Sequence, residues 1–275
     1  MGSFSILNNI PGLNAQNNLT INSMNLSRTL FRLSSGSRIN NGGDDPAGLN
    51  YADSLRANIT SLQQSVRNAN DGVGALQVAD GAYAQITNML NRAVTLATEA
   101  ANSTLNATQR GALDSEFTQI KNEIDRIGSR TQYNGSAIFN STLSVYTSDG
   151  TSNGTSTIAV TISSLSQAAL NLNSVAISGS DPSNANNALT SITTAVSTIA
   201  LNRGQLGAYM NRLQAAANVL TNVQQNTITA EDGIRATNVA EEIQNMTRFN
   251  VLNQTGIASL SQANAKMQSV LALLR

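Results

Sequence analysis

The chain has 275 residues, 16 cationic and 16 anionic side chains, and no Cys, His or Trp. Without Cys or His it can build no disulfide framework, no thiolate or imidazole metal site and no Ser-His-Asp triad. Its formal net charge of zero gives no basic field for nucleic acid or anionic lipid, and no apolar run approaches the roughly 20 residues of a membrane span.

The N-terminus lacks the basic n-region and continuous apolar core of a secretory signal. From Met1 to Ser27 there is no charged side chain, while Ile6, Ile10, Leu13, Leu19, Met24, Leu26, Leu30, Phe31 and Leu33 fall at helical spacings. Ser34–Ser37 and Asn40–Gly43 break this helix with turn-forming residues. Asp44-Asp45-Pro46-Ala47 then reads as an N-cap followed by proline at the first helical position.

A heptad follows through Leu55, Ile59, Leu62, Val66, Ala69, Val73 and Leu76, interrupted at Asp80 and Thr87 around Tyr83, and resumes at Leu90, Val94 and Ala97. It predicts a helix of about forty-five residues, well beyond the usual mean of about 11–12. Gly72-Val73-Gly74 and Gly42-Gly43 are not followed by the Lys-Ser/Thr of a phosphate loop, and close packing is the better reading. After a polar break at Asn102–Asn106, Leu113, Phe117, Ile120, Ile124 and Ile127 define a second helix, with Gly128 expected as its C-cap. Its charged side chains, Arg110, Asp114, Glu116, Lys121, Glu123, Asp125 and Arg126, are expected on a solvated face.

Residues 131–179 change character. Tyr133-Asn134-Gly135 and the stretch from Ser148 to Gly154 are turn signals, and Leu143–Val145 and Ile158–Ile162 alternate with the period of half-buried strands. A small hairpin is expected here, with another short turn near Ser174–Ser178. The heptad returns through Leu189, Ile192, Val196, Ile199, Arg203, Leu206, Met210, Leu213, Ala217 and Leu220. Asn226–Gly233 reads as a weaker link.

The last stretch carries a three-four seam from Val239 through Ile243, Met246, Asn250, Asn253, Ile257, Leu260, Asn264, Met267, Leu271 and Leu274. As one helix it would be roughly 55 Å long. Between Arg248 and Arg275 its only charge is Lys266, as if its outer face met other protein. Isolated helices of this kind are marginal in water, so the two chain ends are expected to pair and to be ordered by packing many copies together. The expected fold is mainly α: paired N- and C-terminal coiled-coil-like helices, a central helical bundle and a small β-hairpin region, nested into a rod. The assembly seam is expected at Leu13, Leu30, Leu33, Ile243, Met246, Ile257, Leu260, Met267, Leu271 and Leu274. No enzyme, cofactor or metal site is expected.

Several stretches resemble bacterial flagellin. In the first half these are Leu33-Ser34-Ser35-Gly36-Ser37-Arg38-Ile39-Asn40, Asp44-Asp45-Pro46-Ala47-Gly48-Leu49, Asn68–Gly72, Leu113–Phe117 and Asn122-Glu123-Ile124-Asp125-Arg126-Ile127, leading to Tyr133-Asn134-Gly135. In the second half they are Leu206-Gly207-Ala208, Asn211-Arg212-Leu213, Asn253-Gln254-Thr255-Gly256, Ser261–Ala265 and Val270–Leu274. The resemblance covers roughly residues 1–140 and 187–275.

The resemblance implies a short flagellin without large outer domains, exported through the flagellar type III apparatus and polymerised into the extracellular filament that drives motility. Its implied partners are other copies, the filament cap, hook-junction proteins and a flagellin export chaperone, with no nucleic acid and no membrane. It also implies a terminal core domain (1–44 and 230–275), a central domain (45–229) with the hairpin region at about 131–180, and a spoke at about 34–55 and 226–238. In this family a host Toll-like receptor binds the middle helices, and the matching positions are Arg92, Leu96 and Glu116; Val94 and Thr95 replace the family's usual Arg and Glu. Gly233–Asn238 also departs from the family's more acidic stretch. Ser141, Thr142, Ser144, Thr151, Ser152 and Thr155 form a candidate O-glycan region. The rival readings are a hook–filament junction protein and, more distantly, a coiled-coil signalling hairpin.

Overall fold

The computed structural model describes residues 9–148 and 157–273, with side chains described as far as Ser269. The described chain is mainly helical: α1 (Ile10–Ser35), α2 (Pro46–Ala100), α3 (Ala107–Arg130), α4 (Ser183–Arg235) and α5 (Val239–Leu273). Two antiparallel strand pairs accompany them, β1 (Gln132–Tyr133) with β2 (Ser136–Ala137) and β3 (Ser141–Tyr146) with β4 (Thr157–Ile162). The chain divides into two compact units, one of residues 1–56 with 227–275 and one of residues 57–226.

Helix boundaries follow from local chemistry. Asn9 accepts the Gly12 N–H at 3.0 Å and starts α1, which ends at Gly36 with φ 69°. Asp45 accepts the Gly48 N–H at 2.9 Å with Pro46 opening α2, the N-cap and proline read from the sequence. Asn106 and Gln109 form a reciprocal capping box on α3. At the far end of α3 the expectation fails. The helix runs past Gly128 to Arg130, and the Thr131 N–H closes it on the Ile127 carbonyl. Gly128 instead lies where the Leu165 carbonyl crosses the helix, and a Cβ there would overlap that oxygen.

The expected weak link at Asn226–Gly233 is continuous helix, its last turn supported by Glu231 and Arg235 at 3.8 Å.

In the unit of residues 57–226 the core joins Leu76, Ile86, Leu90 and Leu96 of α2 to Phe117 and Ile124 of α3 and to Ile192, Ile199 and Leu213 of α4. Strand β4 adds Ile158, Val160 and Ile162 from one face, the alternation legible in the sequence. Tyr83 packs edge-on against Phe139 with ring centroids 5.2 Å apart, and burial pushes its hydroxyl pKa up to about 12. Two of the polar positions in the heptads meet: Arg203 Nε donates to Asp80 Oδ1 at 2.7 Å and Nη2 to Oδ2 at 3.1 Å. Along α2 the buried companions are Ser65, Gly72, Ala79, Ile86, Ala93 and Ala100, each seven residues from the next, the first five one position before the expected Val66, Val73, Asp80, Thr87 and Val94.

The β1–β2 turn carries Asn134 at φ 50° and Gly135 at φ 79°, the left-handed pair that a two-residue hairpin needs. The turn expected from Ser148 to Gly154 falls on residues 149–154, which lie outside the described residues.

The charged face of α3 is only partly solvated. Arg110 is buried and donates to the carbonyls of Ala100 (2.8 Å), Asn102 (3.1 Å) and Ser180 (3.1 Å). Asp114 accepts from the Ile177 N–H (2.8 Å) and the Ser178 hydroxyl, Lys121 donates to the Val175 carbonyl (2.7 Å), and Asp125 accepts from the Gln167 N–H (2.7 Å). The irregular segment 163–182 has few backbone partners of its own, and these four side chains satisfy its polar groups on the helix. Glu116, Glu123 and Arg126 remain outward.

Candidate assembly surface

In the terminal unit α1 and α5 pack antiparallel, as the contacts Asn9–Asn264, Leu19–Gly256 and Arg32–Glu242 require. The less exposed stripe of α1 is Gly12, Ala15, Leu19, Asn22, Leu26, Thr29 and Leu33. That of α5 is Glu242, Met246, Phe249, Asn253, Gly256, Leu260, Ala263 and Met267. Both keep the three-four spacing of a coiled coil.

Of the residues assigned to the seam from sequence, Leu33, Met246, Leu260 and Met267 therefore face the partner helix. Leu13, Leu30, Ile243 and Ile257 do not: they stand outward, at 60%, 46%, 45% and 59% exposure. The Leu271 side chain and all of Leu274 lie outside the described residues. Each helix carries a second apolar set outside the paired stripe: Ile10, Leu13, Met24 and Phe31 one or two residues from it on α1, and Ile243 and Ile257 one residue from it on α5. The paired stripe combines Leu19, Leu26, Phe249 and Leu260 with Gly12, Ala15, Gly256 and Ala263, where the backbones can approach. A Cβ at Gly256 would come within 3.1 Å of Leu19 Cδ1. The second apolar set is left outside, where Ile10, Met24 and Phe31 are also more than half exposed.

Charge in this unit is bunched at one end of the helix pair. The Arg38 N–H donates to the Arg235 carbonyl at 2.6 Å and the Thr237 N–H to the Gly36 carbonyl at 3.0 Å, pairing the strands that leave α1 and enter α5. The Arg38 guanidinium caps the Ile234 carbonyl at 2.9 Å. Arg32 lies between Asp44 (3.7 Å) and Glu242 (3.5 Å), and Arg235 between Asp53 (3.6 Å) and Glu231 (3.8 Å). The backbone N–H groups of Asn40 and Asn41, with the charges of Arg32 and Arg28, hold the Asp44 carboxyl below its ordinary range against the opposing effect of desolvation. Sequence reasoning missed this network. Its signal was the crowding of charge at residues 28–56 and 231–248, outside which the unit carries only Lys266 and Arg275.

The other candidate sites lie in the unit of residues 57–226. Arg92 and Glu116 are exposed and joined by two hydrogen bonds, Nε–Oε1 at 2.7 Å and Nη2–Oε2 at 3.1 Å, and the Arg92 guanidinium lowers the Glu116 pKa. Leu96 is not beside them on the surface; it is fully buried in the core. Thr142 and Ser144 face outward on β3, whereas the half-buried Ser141 donates its hydroxyl to the Ile138 carbonyl at 2.6 Å. Thr151, Ser152 and Thr155 lie outside the described residues. Among the described residues there is no group of three or more acidic side chains able to hold a metal ion, and no helix is long and apolar enough to cross a membrane.

Comparison with known proteins gives a consistent answer. Residues 6–144 match the bacterial flagellin N-terminal helical region and residues 189–274 the bacterial flagellin C-terminal helical region. The flagellin of Halalkalibacterium halodurans is 35% identical over 270 residues, covering 98% of this chain and 99% of its own. The flagellar filament 33 kDa core protein of Treponema phagedenis is 32% identical over 284 residues, with the same coverage. A crystal structure of Bacillus cereus flagellin is similar over 56% of this chain and 88% of its own, at 30% identity and a TM-score of 0.49. Matched at both ends by the flagellin family and along nearly its whole length by flagellin relatives, the chain belongs to the bacterial flagellin family.

Proposed function

We propose that the chain is a structural subunit of an extracellular flagellar filament, built by self-association of many copies. The observation that carries this reading is the outward apolar stripe of the α1–α5 pair, with Leu13, Met24, Phe31 and Ile257 each more than half exposed. Each large apolar side chain transferred from water to a neighbouring copy contributes about 1.5–3 kcal/mol, so a stripe of this length favours association strongly. A two-helix unit with few charges on its flanks gains little by standing alone in water.

In this reading the terminal unit packs with its equivalents as the filament core, residues near 34–55 and 226–238 form the spoke, and residues 57–226 build the surrounding tube. The outward residues Leu13, Leu30, Ile243 and Ile257 make the contacts between copies, while Leu33, Met246, Leu260 and Met267 hold the two helices of one copy together. Export through a type III apparatus, an export chaperone, a filament cap and hook-junction proteins are the expected partners, and the role is structural rather than enzymatic. A host Toll-like receptor would meet the exposed Arg92–Glu116 pair, with Leu96 supporting the surface from beneath. Thr142 and Ser144 are the described hydroxyls best placed for O-glycans.

The test is negative-stain electron microscopy of the purified chain before and after addition of sheared seeds. Long tubes of uniform width are expected. Dispersed particles or short plugs under all conditions would overturn the filament reading in favour of a junction protein.

A further inference from the structure

Within the terminal unit most charged side chains have a partner in the same copy. Arg32, Asp44 and Glu242 form one group, Arg235, Asp53 and Glu231 another, and Arg38 caps a carbonyl. Among the described residues Arg28, Asp232, Glu241 and Lys266 have no ion pair or side-chain hydrogen bond, and Arg248 meets only the Phe249 ring; Asp232 and Arg28 are set apart by their surroundings. Asp232 is exposed, and among the described residues its carboxylate has no hydrogen bond or ion pair. It sits in the last turn of α4, where the unsatisfied carbonyls of the helix end disfavour a negative charge. Its neighbour Glu231 is compensated by Arg235; Asp232 is not. Arg28 is likewise exposed, and its charge reaches Asp44 without a hydrogen bond or ion pair.

Arg28 stands on the rim of a polar recess of about 300 Å³ lined by α1 (Met24, Ser27, Phe31, Arg32) and by Asn40, Asn41 and Asp44 of the following loop. At the edge of this recess the Arg32 Nε–H is buried without an acceptor. The Asp44 carboxylate on the opposite wall is already engaged by the Asn40 and Asn41 N–H groups and by Arg32. The recess thus offers one uncompensated guanidinium and one orphaned N–H donor, a set that suits an incoming carboxylate.

We infer that the recess beside Arg28 receives the Asp232 carboxylate of a second copy. The inference rests on the filament reading, which makes every copy present both surfaces to its neighbours. A cation patch and an anion that have no partner in their own copy and meet those of the next make a head-to-tail contact, the kind that propagates without closing. Within the terminal unit the other acidic side chains fit less well. Glu241 lies in the first turn of α5, where its own helix end already favours its charge. Asp45 is occupied as the cap of α2. The contact adds specificity of register to an interface whose remaining surface is apolar and permissive.

The test is charge exchange, read as the critical concentration for seeded polymerisation. Arg28→Asp and Asp232→Arg each replace attraction by repulsion, and each should raise the critical concentration roughly tenfold. The double variant Arg28→Asp/Asp232→Arg restores the pair in reversed order and should recover most of the loss. Because the natural chain has no Cys, a second variant carrying Arg28→Cys and Asp232→Cys should give a ladder of covalent oligomers when its filaments are oxidised. Unchanged circular dichroism of the monomers excludes a folding cause. Wild-type filaments together with a double variant no better than either single one would overturn the contact. Loss at Arg28→Asp with none at Asp232→Arg would assign the recess to a different carboxylate and overturn this one. A wild-type chain that forms no filaments would overturn the filament reading itself.

Discussion

Gly128 offers a prediction in which two physical effects oppose each other. Helix propensity alone says that Gly128→Ala within α3 should stabilise the protein by about 1 kcal/mol. The structure says the reverse, because the added Cβ would overlap the Leu165 carbonyl and push segment 163–182 off the helix. Displacement would expose Leu165, now 4% exposed, at a cost of about 1.5–3 kcal/mol. It would also break the two hydrogen bonds from Gln167 to Asp125, each a net contribution of about 1 kcal/mol. Set against the propensity gain, the net loss is about 2.5–4 kcal/mol, which for a unit of this size lowers Tm by roughly 5–15 °C. The control is Gly111→Ala in the same helix, where no atom lies within 4 Å of the new Cβ and a gain of about 0.4–1 kcal/mol is expected. Thermal unfolding followed by circular dichroism measures both. A Gly128→Ala variant as stable as the Gly111→Ala one would refute the close approach.

Three further predictions concern the polar contacts. Lys121→Met deletes the donor to the Val175 carbonyl and should cost about 1–3 kcal/mol, with faster amide exchange confined to residues 163–182. Alanine substitution of Asp80 and Arg203, singly and together, should give a coupling of only about 0.5 kcal/mol that fades with added salt, since both side chains are about a third exposed or more. The Asp44 carboxyl is held below its ordinary range when folded, so its contribution is present above the ordinary aspartate pKa and is lost as pH falls through the lowered one. Asp44→Asn should therefore destabilise the terminal unit at neutral pH, and amide exchange should show the difference from wild type disappearing as the solution becomes strongly acidic.

The long helices, the Asp45–Pro46 start of α2 and the hairpin of β3 and β4 were legible because each rests on local chemistry or on a pattern repeated over several residues. Asp80 and Arg203 were visible as breaks in two heptads; their pairing was not, since a heptad fixes a helix face and not the height at which two helices meet. The fate of the charges on α3 was misread for a related reason. A run of charge normally marks a solvated face, and only the path of segment 163–182 decides that Arg110 and Lys121 are buried. The terminal seam divides in the structure: Leu33, Met246, Leu260 and Met267 face the partner helix, while Leu13, Leu30, Ile243 and Ile257 face outward. Apolar periodicity does not register backbone approach, which is close at Gly256.

That division bears on the central claim, that the apolar set turned away from the helix pair is what joins the copies. The direct measurement is seeded polymerisation of a chain carrying Leu13→Glu and Ile257→Glu, imaged by electron microscopy beside wild type. Both side chains are already in water in the single copy, so the monomer should keep its helical content and thermal stability while forming no filaments. Filaments of normal width and abundance from this variant would contradict the account, and would place the contacts between copies elsewhere on the chain.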